Sequence, residues 1–80
     1  MGNDKIKKLE GILVMEHLKE LKLMLKLNVK EMGEYINIKT KAYHDFRPDE
    51  GGGYVSELGS NLRMYKALVS WLKEKTIGRG

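Results

Sequence analysis

The feature that most constrains the fold of this chain is an apolar alternation between residues 21 and 46. Apolar residues occupy positions 21, 23, 25, 27 and 29, and a second alternation places Ile36, Ile38, Thr40 and Ala42 in one phase. A period of two is typical of a half-buried strand, because a helix cannot place such a set on one face. Gly33, between the two runs, can adopt the positive φ of a tight turn. The pattern predicts an antiparallel β-hairpin over about 20–46.

The register of this hairpin follows from matching the two apolar sets, which places Val29 opposite Ile36. Lys26 then lies directly opposite Lys39 on the other face. Like charges in that position cost stability, so the outer face is either well solvated or adapted to an anion.

Two helices are expected around the hairpin, over about 4–17 and about 61–75. The run 12–15 also suits a short strand, and 54–58 is interpreted as a third strand or as an extended lead into the last helix. Pro48 and three glycines predict a flexible loop over 47–53, and 76–80 is expected to fray. The prediction is a two-layer α+β domain over 1–80, with both helices on one face of the sheet.

Length and composition limit the other possibilities. A core of 80 residues is marginally stable, which makes a homodimer a reasonable expectation. The absence of cysteine excludes disulfides and thiolate metal sites and is compatible with a cytoplasmic location. The longest apolar run, 12–15, is far shorter than the roughly 20 residues of a membrane span, and no signal-peptide core follows the first lysines.

The leading functional hypothesis is a non-catalytic nucleic-acid-binding module. The formal charge is +4, and the predicted outer face combines cations with rings on which DNA or RNA bases could stack. A solvated lysine-rich surface that keeps the sheet soluble explains the same residues without a ligand. The predicted nucleic-acid-binding residues are Lys22, Lys26, Lys30, Tyr35, Lys39, Lys41, Tyr43 and Arg47.

The alternative hypothesis is a protein-interaction module, such as an adaptor or an inhibitor of the kind encoded by phages and mobile elements. It would act through an edge strand or through apolar residues of the last helix and its lead. The residues of this predicted interface are Tyr54, Met64 and Trp71, which core packing also explains.

The predicted order of elements is similar in outline to the double-stranded-RNA-binding domain, which also packs two helices on one sheet face. That family carries a lysine cluster at the start of its last helix, where this chain has Arg63 and Lys66. The resemblance implies RNA binding, and it lies in topology alone.

Catalysis, cofactors and metals have little support in the sequence. His44, Asp45, Asp49 and Glu50 are interpreted as a strand end and polar turn, because His44 and Asp45 would point to opposite faces. The glycines 51–53 lack the Lys and Ser or Thr of a phosphate-binding loop. No motif places a nucleophile beside a base, so we expect no enzyme activity and no bound cofactor or metal.

Overall fold

The computed structural model describes residues 2–48 and 50–79, and every regular element within them is an α-helix. Helix α1 spans Gly2–Met24, α2 spans Val29–Asp45 and α3 spans Gly53–Thr76. The predicted loop at 47–53 falls between α2 and α3, except for Gly53, which begins α3. Two residues of the predicted loop and tail, Asp49 and Gly80, lie outside the described residues.

The α+β prediction is therefore wrong. Residues 20–46 contain the end of α1, a short linker and α2, with no β-hairpin. The predicted third strand at 54–58 belongs to α3, which starts well before residue 61, and α1 continues beyond residue 17. Without a sheet, the similarity in outline to the double-stranded-RNA-binding domain does not hold.

The alternation arises from apolar residues on opposite sides of α1 and of α2, and it continues through the linker between these helices. Residues two apart lie about 200° apart around a helix. At the end of α1, Leu23 packs against the core and Leu21 is exposed. In the linker that follows, Leu27 packs against the core and Leu25 is exposed. In α2 the same relation separates Ile38, packed against the core, from the exposed Ile36. Because the exposed row and the packed row occupy alternate positions along the chain, together they produce an apolar residue at every second position.

The start of α2 is set by a capping box rather than by a hairpin turn. The Asn28 side chain accepts a hydrogen bond from the Glu31 backbone at 2.8 Å, and the Glu31 carboxylate accepts one from the Asn28 backbone at 3.1 Å. These bonds satisfy backbone donors that a helix start leaves free. Gly33, the predicted turn residue, consequently lies inside α2.

The three helices run up, down and up. Tyr54 at the start of α3 donates a hydrogen bond to Glu10 of α1 at 2.7 Å, and Arg79 beyond the end of α3 reaches the Lys26 carbonyl at 3.2 Å. Helices α1 and α3 are therefore parallel and lie side by side along most of their length. Helix α2 runs antiparallel to both.

The core is unevenly shared among the helices. Five of the seven buried apolar residues belong to α3, and α1 contributes none among the described residues. The only fully buried residue described on α1 is an acid, Glu20. The buried apolar residues are Tyr35, Ala42, Leu58, Met64, Leu68, Val69 and Leu72.

Candidate functional site

The most unusual surface of the molecule is apolar. On α1 and the turn that follows it, Val14, Leu18, Leu21 and Leu25 form an exposed row, here called the α1 stripe. Its spacing of four, three and four residues is that of a coiled-coil seam. The exposed side chains of Val29, Ile36 and Tyr43 on α2 lie seven residues apart and form the α2 stripe. Leu25 and Val29 are 87% and 92% exposed.

The two stripes lie on the same side of the molecule. Going around α1, Glu16 borders α3, Glu20 contacts α2, His17 packs against Tyr65 of α3, and the α1 stripe comes next. Around α2, Glu34 pairs with Lys75 of α3, Lys39 pairs with Glu20 of α1, and the α2 stripe follows. Each stripe therefore lies beyond the Glu20–Lys39 contact between α1 and α2, and Val14 also borders a groove that α3 lines. Together they form one surface, called the apolar face below.

Beneath the apolar face lies the buried carboxylate of Glu20, which is 0% exposed. Its Oε2 accepts hydrogen bonds from the Tyr35 hydroxyl and from Lys39 Nζ at 3.0 Å. Its Oε1 accepts one from His17 Nδ1 at 3.0 Å. Glu20 thus joins α1 to α2, and no described buried side-chain polar atom lacks a partner.

These bonds control the protonation of Glu20. Burial alone would raise the pKa of Glu20, but the hydrogen bonds from Tyr35, Lys39 and His17 and the charge of Lys39 outweigh it and lower the pKa. Burial and the neighbouring carboxylate raise the pKa of Tyr35. Both oxygens of Glu20 are occupied and shielded from solvent. This geometry suits a fixed structural anion better than a base that meets an outside substrate.

Aromatic contacts extend the Glu20 network to α3. The Tyr35 ring stacks on Trp71 with centroids 6.1 Å apart, and His17 packs against Tyr65 at 5.3 Å. Lys39 Nζ also lies 5.8 Å from the centroid of the Tyr35 ring. The network therefore fixes the positions of all three helices and holds the two stripes in place.

The residues predicted to bind nucleic acid do not form one face. Tyr35 is buried and Lys39 is bound to Glu20. Tyr43 is exposed as part of the α2 stripe. The other members are exposed on α1, in the linker after it, on α2 and just after α2: Lys22, Lys26, Lys30, Lys41 and Arg47.

The predicted protein interface is also dispersed. Met64 lies in the core, and Trp71 is partly buried between Tyr35 and Lys75. Tyr54 is exposed but bonded to Glu10. Sequence reasoning missed the apolar face, although the 4-3-4 spacing of Val14, Leu18, Leu21 and Leu25 was a readable signal.

A second surface feature is a basic groove of about 250 Å³ between α1 and α3. It is lined by three lysines with one acid, and Lys19 Nζ lies 3.3 Å from Glu16 Oε1. The groove opens on the side of α1 away from the apolar face. Its lining residues are Glu16, Lys19, Lys66, Val69, Ser70 and Lys73.

The described residues contain no cluster of metal-ligating side chains and no helix that could span a membrane. No group of three or more histidines, cysteines, aspartates or glutamates is placed to hold a metal ion. No helix in the described part of the chain has the length and apolar character of a membrane span. Asp49, which the sequence places in the polar turn, is outside these residues.

Comparison with other proteins gives no assignment: no family model, curated protein or solved structure matches this chain.

Proposed function

We propose that this chain is a protein-interaction module that binds an apolar helical surface of a partner through its apolar face. The supporting observation is that seven large apolar side chains of α1, the turn after it and α2 are exposed on one side at seam spacing. Contiguous apolar surface of this kind marks interaction sites, whereas single exposed leucines are common and need no explanation. The expected cytoplasmic location is part of this proposal and rests on composition.

The partner chemistry follows from the two helices that carry the stripes. A pair of neighbouring helices with seam spacing offers a groove into which an amphipathic helix packs its own leucines. The edge of the apolar face carries the exposed Lys22, so acidic residues beside the partner's apolar row favour binding.

The test uses a labelled four-heptad helical peptide with leucine at the seam positions and glutamate, glutamine and alanine elsewhere. Fluorescence anisotropy is expected to give micromolar binding that Leu18→Glu/Leu21→Glu weakens by about tenfold or more. Val55→Glu, at an exposed position of α3 outside the apolar face, is the matched control and should bind normally. Absence of binding by a chain that is monomeric at the same concentration, or equal losses in both variants, contradicts the proposal.

The basic groove supports a second candidate function, nucleic-acid binding. Lys66 and Lys73 on α3 and Lys19 on α1 line it with a single acid. Lysines along a groove neutralise phosphates without demanding exact base geometry.

Anisotropy titrations with labelled single-stranded and double-stranded oligonucleotides test this second function. Binding is expected at low salt, with a steep loss as salt rises. Lys66→Glu/Lys73→Glu should abolish it, and Lys41→Glu, outside the groove, should have a small effect. Lack of binding at low salt excludes nucleic acid as the partner.

A further inference from the structure

We propose that the partner of the apolar face is a second copy of this chain, which packs α1 against α1 and α2 against α2 in antiparallel directions. This inference rests on the proposed interaction function and names its partner. Three independent observations support it: the symmetry of the stripes, the level at which they are centred, and the accessible area of the chain.

The spacing of the α1 stripe is palindromic. In a two-fold symmetric interface, residue i contacts residue j of the partner and residue j contacts residue i. An antiparallel pairing centred between Leu18 and Leu21 places these two residues opposite each other. The same pairing places Leu25 opposite Val14, which borders a groove of about 260 Å³ between α1 and α3. The exposed Leu25 side chain therefore faces a site that can receive it.

The α2 stripe is symmetric about Ile36, with Val29 and Tyr43 seven residues away on either side. A single two-fold axis serves both helices only if their centres lie at the same height. The hydrogen bond between Tyr35 and Glu20 places Ile36 beside the midpoint of the α1 stripe. One axis across both helices thus pairs every residue of both stripes.

Charge does not oppose this pairing. About the same centre, Lys22 comes opposite His17, and Lys39 comes opposite Gly33. No lysine beside the seam meets another lysine, so the repulsion that lysine pairs would produce is avoided.

The solvent-accessible area of the chain exceeds that expected of a monomer by about the area that one dimer interface buries. A folded monomer of 9.2 kDa is expected to expose about 4,900 Å². This chain exposes 5857 Å², about 900 Å² more. A standard interface buries about 800 Å² on each partner. The radius of gyration, 14.0 Å, also exceeds the roughly 11.6 Å of a compact 80-residue domain. The Cα envelope is flat, 42 × 25 × 14 Å, as expected of one layer of a two-layer assembly.

Sedimentation velocity over a range of concentrations tests the pairing with reciprocal charge variants. Wild-type chain is expected to dimerise. Leu18→Glu/Leu21→Glu and Leu18→Lys/Leu21→Lys should each raise the dissociation constant by about 100-fold or more, with helical circular dichroism retained. Because residue 18 faces residue 21 of the partner, an equal mixture of the two variants should restore a dimer.

A disulfide experiment tests the position of the axis. The chain has no cysteine, so a single introduced cysteine can form a disulfide only with the same residue of a second copy. Ile36→Cys should form a covalent dimer under mild oxidation, because position 36 lies on the axis. Lys66→Cys, exposed in the basic groove, is the matched control and should remain uncrosslinked.

The outcomes separate this inference from the function on which it rests. A wild-type chain that stays monomeric but binds the helical peptide overturns the second copy and leaves the interaction function intact. A chain that does neither overturns both. A dimer that survives the charge variants, or that crosslinks equally through Lys66→Cys, places the interface elsewhere and overturns the pairing.

Discussion

Glu20→Ala is expected to lower the free energy of unfolding by about 3–5 kcal/mol, the cost typical of breaking a buried ion pair. Glu20 is fully buried and accepts bonds from Tyr35, Lys39 and His17. Its removal leaves the buried Tyr35 hydroxyl without an acceptor and separates α1 from α2. In a domain of this size the loss approaches the whole stability. Urea unfolding followed by circular dichroism measures it.

Two further variants show whether the loss comes from the network or from the volume of the side chain. Glu16→Ala removes an acid one turn earlier, whose pairing with Lys19 is at the surface, and should cost about 0.5 kcal/mol. In Glu20→Met/Tyr35→Phe the carboxylate and the Tyr35 hydroxyl are absent and Lys39 can turn to solvent, so much of the loss should be recovered. A cost below about 1 kcal/mol for Glu20→Ala contradicts the structural role.

The same network gives stability a pH dependence of defined sign. The pKa of Glu20 is lower in the folded chain than its ordinary value of 4.5. Its contribution is therefore complete above about pH 4.5 and lost as the pH falls through the folded pKa. Glu31, bonded to Arg79, acts with the same sign, because that bond helps lower its pKa to about 2. Unfolding midpoints between about pH 2 and pH 6 should fall on acidification, and less steeply in Glu20→Gln.

The helices could be predicted only in part, because an alternation of apolar residues has two physical origins. A strand with one buried face gives a period of two, and so does a helix with apolar stripes on two opposite sides. The helical origin becomes plausible for Leu21 and Leu23 only if the exposed Leu21 has a binding partner outside the monomer, because Leu23 alone packs against the core. The Asn28 and Glu31 capping box was the local signal that favoured a helix start over a hairpin.

The candidate site was less predictable than the helices, since it depends on tertiary position. Lys39 reads as a solvent cation in the sequence, and only the antiparallel packing of α2 on α1 places it on Glu20. Similarly, Met64 reads as an exposed edge until the full length of α3 puts it in the core. The net charge of +4 follows from the sequence alone, whatever the fold, and it is the part of the nucleic-acid hypothesis that remains. The basic groove, with its three lysines, is the place to test that hypothesis.

Leu72→Ala and Leu18→Ala should differ sharply in dilute protein. Leu72 is 0% exposed within the α3 core, and truncation there creates a cavity that costs about 3–4 kcal/mol. Leu18 is 52% exposed, and its truncation should change the stability of the monomer by about 0.5 kcal/mol or less. Chemical denaturation at roughly 0.1 µM measures both, because a dimer with a micromolar dissociation constant is largely dissociated at that concentration.

Raising the protein concentration separates the two leucines further. If the apolar face joins two copies, folding is linked to dimerisation, and a hundredfold higher concentration stabilises each wild-type chain by about 1 kcal/mol. Leu18→Ala should lose most of that gain, whereas Leu72→Ala should keep it, because Leu72 lies away from the seam. A cost for Leu18→Ala in dilute protein as large as that of Leu72→Ala would mean that Leu18 belongs to the monomer core, and the apolar face would then not be a free binding surface.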